Sequence, residues 1–321
     1  MTINQQGPSM FDNHKAIPRS VLIFGAAGHI GGPLADFLSR EAPQMQLRLV
    51  SRDTARAQQL RSRFPRAEAV QADYADPASL MRALADIDGV FVLTPAGTDE
   101  TQAMGNLVAA VRSAGTEPHI IRLVGYQPEY NRHRIGRWLT DHGMGLPIQH
   151  PLAKRLLDDS LLPVTYLNCG ATFIDNFARW QAPGLRERRT LIWPERLIPF
   201  LDPRDIAEVA GRLFLSDNHR HIGQLHTMNN GHDILRFSEV AVLMSELWGE
   251  PIAYDGSKAA FLSEYAHMGE RRLQFLWAFF EYERDNEVVW ARNDFVERML
   301  GRKPVTVRDW LVAHKAEILR R

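Results

Sequence analysis

The sequence predicts an α/β fold, a Rossmann-type doubly wound parallel sheet with a smaller α+β domain at the carboxyl end. Three observations predict it. Short, continuously apolar runs alternate with helix-periodic segments through the first half of the chain. The first of these runs, in "VLIFGAAGHIGG" (21–32), leads straight into a glycine-rich turn. After Gly170 the alternation fades and short strands mix with helices.

The elements follow in order. "SVLIFG" reads as a strand, and "GGPLADFLSREA" as a helix with Leu34, Phe37 and Leu38 on one face. "LRLVSR", "AEAVQAD", "GVFVLTP" and "HIIRLVG" read as the second to fifth strands. The helices between them are "TARAQQLRSRF", "PASLMRALAD" opened by Pro77, and "ETQAMGNLVAAVRSAG" closed by Gly115. Strands buried on both faces lack polar alternation, which is why these runs are continuously apolar. Residues 127–150 are long and polar for a connection and read as an excursion near the sheet's carboxyl edge. "PLAKRLLDDS" reads as a helix with Pro151 in its first turn, and "PVTYLNCG" as a sixth strand. "DPRDIAEVAGRLFLS" reads as a helix returning to the main sheet. The expected organisation is a flexible tail over 1–18 and a nucleotide-binding domain over 19–170, to which 201–217 return. Residues 171–200 and 218–321 are expected to form the smaller, substrate-side domain.

Composition narrows the function. A chain of 321 residues with 45% hydrophobic and 24% charged residues has the make-up of a globular protein with a sizeable core. Its 38 basic residues balance 38 acidic ones, which argues against a polyanion-binding surface and hence against a direct nucleic-acid partner. One cysteine, Cys169, allows neither an internal disulfide nor a cysteine-built metal site, and fits the cytoplasm. The polar start is not a signal peptide, and no run of about 18 apolar residues suggests a membrane span.

Gly25, Gly28 and Gly31 form G-x-x-G-x-x-G directly after a strand and before a helix. One glycine permits the tight turn, the next lets a pyrophosphate approach the backbone, and the third allows close helix packing. Ala27, His29 and Ile30 complete the same turn, whose amides face a helix N-terminus. A dinucleotide site is expected here. The second strand ends in Ser51 and Arg52 rather than in an acid, which favours a 2′-phosphate and so NADP(H). Asp73, ending the third strand, would meet the adenine edge, and Thr94 and Pro95, ending the fourth, the cofactor's middle.

With these pieces in order, the chain resembles the NmrA-like branch of the atypical short-chain dehydrogenase/reductase superfamily. The resemblance is carried by "GAAGHIGG", "LVSRD", "QADYADPASLMRALADIDGVFVLTP", "NLVAAVRSAG", "HPLAKRLLDDSLLPVTYLNCGATFIDNF", "DPRDIAEVAGRLFLS" and "VERMLGRKPVTVRDWLVAHKAEI". It implies an NADP-leaning Rossmann domain, a small carboxyl-terminal domain and a cleft between them. It also implies either a working reductase or a protein that binds the nucleotide as a sensor. The wider superfamily uses a serine and a Y-x-x-x-K pair. Lys154 matches that lysine and would hold the nicotinamide ribose. His150 stands at the tyrosine position and Gly125 at the serine position, with Tyr126 beside it. Lys154, His150 and Tyr126 are therefore the candidate catalytic residues, and Cys169 is expected to border the nicotinamide.

His133, His142 and His150 lack the compact spacing of metal ligands, so no metal is expected. In "RRLQFLWAFFEYERD", Leu273, Leu276, Trp277 and Phe280 share one helical face. That face is either core packing or one wall of an apolar pocket, or else a homodimer contact. The expected function is NADPH-dependent reduction of a C=O, C=N or conjugated C=C in a small apolar substrate bound in the interdomain cleft. The alternative is a nonenzymatic NADP(H)-binding redox sensor acting through a protein partner.

Overall fold

The computed structural model describes residues 14–95, 97–125, 146–285 and 291–320, without the side chains of 146–148. The first six strands are β1 (Ser20–Ile23), β2 (Gln46–Ser51), β3 (Glu68–Gln71), β4 (Gly89–Val92), β5 (His119–Val124) and β6 (Val164–Cys169). They are joined by α1 (Gly31–Glu41), α2 (Thr54–Arg63), α3 (Pro77–Leu84), α4 (Glu100–Ala114) and α5 (Leu146–Asp159). Then come β7 (Thr172–Phe173), α6 (Asn176–Arg179), α7 (Ala182–Arg188), β8 (Thr190–Ile192), β9 (Leu197–Leu201), α8 (Pro203–Leu215) and β10 (Leu225–Met228). The chain closes with β11 (Ile234–Arg236), α9 (Phe237–Trp248), β12 (Ala253–Asp255), α10 (Lys258–Glu264), α11 (Glu270–Asp285), α12 (Phe295–Leu300) and α13 (Val307–Leu319).

Seven strands form one parallel sheet in the order β10-β6-β5-β4-β1-β2-β3. In its centre Ile23 lies opposite Leu49 on one side and Phe91 on the other. The chain leaves β1 toward β2 and returns on the far side as β4, so the strand order reverses there. A crevice opens at the carboxyl ends of strands at such a switch point.

One face of the sheet packs against α1, α8 and α12 through Val21, Ile23, Leu34, Leu38, Ile206 and Leu213. The other packs against α3, α4 and α5 through Leu22, Leu80, Leu107, Val111 and Leu157. A separate core holds the smaller region, where Trp193, Phe200, Phe237, Phe261, Trp277 and Trp310 pack together. Asp205 ties the two parts, accepting from Val305 N–H at 2.8 Å and from Arg302 Nη2 at 2.8 Å.

Two features depart from the sequence reading. Leu225–Met228, within the stretch assigned to the smaller domain, is the seventh strand of the main sheet, paired with β6. It is an edge strand and only partly buried, so its "LHTM" lacks the apolar signature of the inner strands. The helix carrying Pro151 begins at Leu146, so this proline lies inside it rather than in the first turn. Pro147, at the second position, is the proline at the helix start. Among the described residues no helix is long and apolar enough to cross a membrane.

Candidate functional site

A single cleft of about 990 Å³ runs along the carboxyl edge of the sheet, from the end of β3 past the β1–α1 turn to α11. This is the upper end of the range for small-molecule sites, about 300–1,000 Å³.

Its first end is backbone. Gly25 sits at φ +69°, where a side chain would be strained, and a Cβ on Gly31 would collide with the Gly25 carbonyl. Gly28 N–H closes the turn onto the Gly25 carbonyl at 2.8 Å. Helices α2, α3 and α4 each begin with an aspartate whose carboxylate accepts from first-turn amides: Asp53, Asp76 and Asp99. Helix α1 begins at Ile30 with no side-chain cap. Ala27, Gly28, His29 and Ile30 line the cleft there, so the positive end of the α1 dipole and its uncapped amides face the cavity. That arrangement fits a diphosphate. Gly31 stands behind the turn, outside the lining, where it permits the close packing. His29 Nδ1–H donates to Asp175 Oδ2 at 2.7 Å and ties the turn to the start of α6.

At the end of β2, Ser51 and Arg52 line the cleft together with Arg56 and Gln59. Asp53 does not line it: its carboxylate accepts from Arg56 N–H at 2.7 Å as the α2 cap. The acid that could face a ribose diol is thus engaged elsewhere, and two guanidinium groups take its place. Arg56 went unnoticed in the sequence because it reads as an ordinary helix residue. Asp73 lines the same end, its Oδ1 held by Ala75 N–H at 2.8 Å.

Thr94 and Pro95 line the middle, above a buried polar network that the sequence reading missed. Arg122, fully buried on β5, donates from Nη2 to Glu100 Oε1 at 2.8 Å and to Thr94 Oγ1 at 3.0 Å. Thr94 Oγ1 also donates to Glu100 Oε1. Glu100 N–H donates to Gln149 Oε1 at 3.1 Å. A signal for this network existed in the arginine of "HIIRLVG", since a charge inside a doubly covered strand requires a buried partner.

His150 joins this network and lines the cleft. Gly125 N–H donates to its Nδ1 at 2.5 Å, which leaves the ring proton on Nε2, 3.6 Å from Glu100 Oε1. Burial, reinforced by Arg122, holds the His150 pKa well below the usual imidazole value. This favours the neutral imidazole near pH 7, which can donate a hydrogen bond from Nε2. Gly125 lines the cleft as well. Tyr126 lies outside the described residues. The one tyrosine among the described lining residues, Tyr74, donates to the Leu93 carbonyl at 3.1 Å, and burial raises its pKa.

Lys154 is placed differently from the expectation. It is not among the residues lining the cleft. Its Nζ pairs with Asp158 Oδ2 at 2.6 Å and stands 4.7 Å from the centroid of the Tyr166 ring. Tyr166 OH donates to the other oxygen of Asp158 at 2.8 Å, so the aspartate that holds the lysine is itself fixed.

The far end of the cleft is apolar. Cys169, Phe173, Ile198, Phe275, Leu276 and Phe279 line it, with Arg196 and Glu283 set among them. Burial pushes the Cys169 thiol up to about 12, so it is an inert, protonated neighbour. Helix α11 serves two purposes at once. Leu273, Trp277 and Phe280 are buried in the smaller core, while Phe275, Leu276 and Phe279 form the cleft wall. Among the described residues no group of three His, Cys, Asp or Glu side chains could hold a metal.

Comparison with known proteins agrees with this geometry. Residues 25–177 match a family model described as NAD(P)H-binding. A reductase of (4-alkanoyl-5-oxo-2,5-dihydrofuran-3-yl)methyl phosphate from Streptomyces griseus is 26% identical over 305 residues, 92% of this chain and 97% of that one. An NAD(P)H azoreductase from Xenophilus azovorans is 27% identical over 237 residues, 73% of this chain and 76% of that one. The fold is shared with an NADPH-dependent quinone oxidoreductase from Escherichia coli solved with NADPH (TM-score 0.75, 20% identity, 91% of this chain and 99% of that one). It is also shared with a mutant NmrA (TM-score 0.69, 16% identity, 91% of this chain and 94% of that one).

Proposed function

We propose that this chain is an NAD(P)H-dependent reductase of the NmrA-like atypical short-chain dehydrogenase/reductase type, and that it reduces conjugated, electron-poor acceptors with NADPH. One observation carries the reading: the glycine turn and an apolar, aromatic wall open onto the same cleft. A nucleotide at the turn, extending past Thr94 and Pro95, has its far end directed to that wall.

The bound dinucleotide supplies hydride; the chain supplies place and polarity. Backbone amides of Ala27, His29 and Ile30 hold the diphosphate, and Arg52 with Arg56 holds the 2′-phosphate that distinguishes NADPH from NADH. Asp73 faces the adenine end. Phe275, Leu276 and Phe279 exclude water from the acceptor.

The protonation states select the acceptor. His150 is neutral, and Tyr74 is tied to a backbone carbonyl. An isolated ketone needs an acid at its oxygen as hydride arrives. A conjugated acceptor spreads the arriving charge and takes its proton from water. Quinones, enones, conjugated imines and azo compounds meet that requirement, whereas simple aliphatic ketones do not. The apolar wall favours this reading over a nucleotide sensor, which has no small molecule to enclose. The experiment is a panel assay with purified protein, following the ultraviolet absorbance of NADPH. Turnover with quinones or azo dyes and none with cyclohexanone is expected. Equal turnover of aliphatic ketones would contradict the acceptor class, and no turnover at all would leave the sensor.

A further inference from the structure

Arg196 and Glu283 are out of keeping with the wall that holds them. Their side chains are 5% and 8% exposed, and Arg196 Nε lies 2.7 Å from Glu283 Oε2. The guanidinium carbon stands 4.3 Å from the centroid of the Phe280 ring and 5.2 Å from that of Phe237. A buried ion pair adds little net stability over well-packed apolar groups of the same volume. Its presence in the wall of a ligand cleft therefore asks for another reason.

That reason lies in the count of donors. A guanidinium carries five N–H groups, and Glu283 faces only one edge of it. Arg196 Nη1 is buried and has no hydrogen-bond partner among the described residues. A buried donor without an acceptor is costly, and an acceptor arriving in the cleft would relieve that cost. Glu283 also fixes what the acceptor's charge must be. The carboxylates of Glu283 and Glu195 already act on Arg196, so a full anion would add negative charge among phenylalanine rings, where burial penalises it. A neutral carbonyl oxygen carries no such penalty.

We propose that Arg196 donates from Nη1 to a carbonyl oxygen of a neutral, planar, conjugated substrate, a quinone or an enone, and that Glu283 positions the guanidinium. The inference rests on the reductase reading and narrows its acceptor. Hydride from the reduced nicotinamide forms a new C–H bond at a carbon conjugated to the carbonyl. The π electrons displaced there run through the conjugated system to the oxygen, which becomes an oxyanion. The Arg196 hydrogen bond strengthens as that charge appears. Water then supplies the one proton that completes the two-electron reduction.

The test uses the full chain loaded with NADP⁺ for binding and with NADPH for turnover. Menadione, a neutral quinone, is compared with a cationic triphenylmethane dye that has no carbonyl. Arg196→Met combined with Glu283→Leu removes both charges together, so neither is left buried alone. We expect this variant to lose about tenfold to a hundredfold in menadione affinity, read by tryptophan quenching, and in kcat/KM. The dye should change by less than about threefold. Equal losses for both, or none for menadione, would overturn the proposal, as would failure of the wild-type chain to bind menadione. Glu283→Gln gives a second reading that does not depend on the double variant folding. Wild type should prefer menadione to a naphthoquinone sulfonate, and Glu283→Gln should narrow that preference. A wild-type preference for the sulfonate would overturn the neutral acceptor. If the wild type binds menadione but oxidises no NADPH with either compound, the reductase reading fails alone. The binding ratio between wild type and variant still decides the hydrogen bond.

Discussion

At the nucleotide end the cleft is made of backbone: Gly25 in a left-handed turn, an uncapped α1, and amides from Ala27 to Ile30. Further in, it is made of side chains that carry buried charge: Arg122 with Glu100, and Arg196 with Glu283. That glycine turn is local, with every contributor within a few residues of the next. The second brings together residues from β5 and α4, and from the β8–β9 loop and α11. Under the proposed function the backbone turn would hold the diphosphate, and Arg196 with Glu283 would meet the acceptor.

The largest effect is expected where buried charge is broken. Glu100→Ala leaves Arg122 fully buried without its carboxylate, and the chain should lose about 3–5 kcal/mol of stability. Urea unfolding measures this, and a loss under about 1 kcal/mol would mean that Arg122 finds water or another partner. Gly31→Ala should come next, because the added methyl meets the Gly25 carbonyl. Overpacking of this kind costs about 1–3 kcal/mol. If the turn shifts to relieve it, NADPH affinity falls about tenfold or more. Undiminished NADPH binding would show that the turn does not hold the diphosphate.

Arg52→Ala sharpens the comparison within the nucleotide end. Loss of one charge-assisted hydrogen bond is worth about 1.5–3 kcal/mol, roughly a tenfold to hundredfold weakening of NADPH. NADH should be nearly unaffected; equal losses would remove the 2′-phosphate from this corner. Lys154→Ala should matter far less. Its pair with Asp158 is partly exposed and one helical turn long, worth about 0.3–0.5 kcal/mol. NADPH affinity should stay within about twofold of wild type. A large rise in Kd would return Lys154 to the ribose contact that the family pattern implies.

The smallest expected effect is an absence of pH response from His150. Its pKa is lowered by burial, so kcat/KM should show no imidazole inflection between about pH 6 and 8. The sign for stability follows from the same shift. An imidazole kept neutral in the fold contributes stability that is fully present above its ordinary pKa near 6.5. That stability is lost as acid protonates the unfolded chain. Burial also lowers His226 to about 4 and His119 to about 3, so they act in the same direction. Unfolding should therefore become easier from about pH 6.5 downward.

The same division explains what the sequence made legible. Gly25, Gly28, Arg52 and the first six strands were readable because local chemistry fixes them: positive φ, short-range turns and continuous apolar runs. Glu100 looked like an ordinary first-turn acid, and Arg196 like a loop arginine. Each acquires meaning only from a partner far away in the chain. His150 shows a different limit. Its position follows from the family resemblance, but its neutrality depends on burial and on Arg122, which the family pattern does not encode. Lys154 was legible as a family position, while its actual partners, Asp158 and Tyr166, follow from how α5 packs beside β6. The edge strand Leu225–Met228 stayed hidden because it is only partly buried and lies after Gly170, where the alternation of strand and helix has faded.

The central claim is that hydride passes from a nucleotide at the glycine turn to a conjugated acceptor at the aromatic wall. It is tested most directly with NADPH deuterated at C4 and a neutral cyclic enone, with the product examined by mass spectrometry. One deuterium on the carbon conjugated to the carbonyl and one hydrogen drawn from solvent are expected. Tight NADPH binding with no deuterium in any product, across quinones, enones and azo compounds, would contradict it.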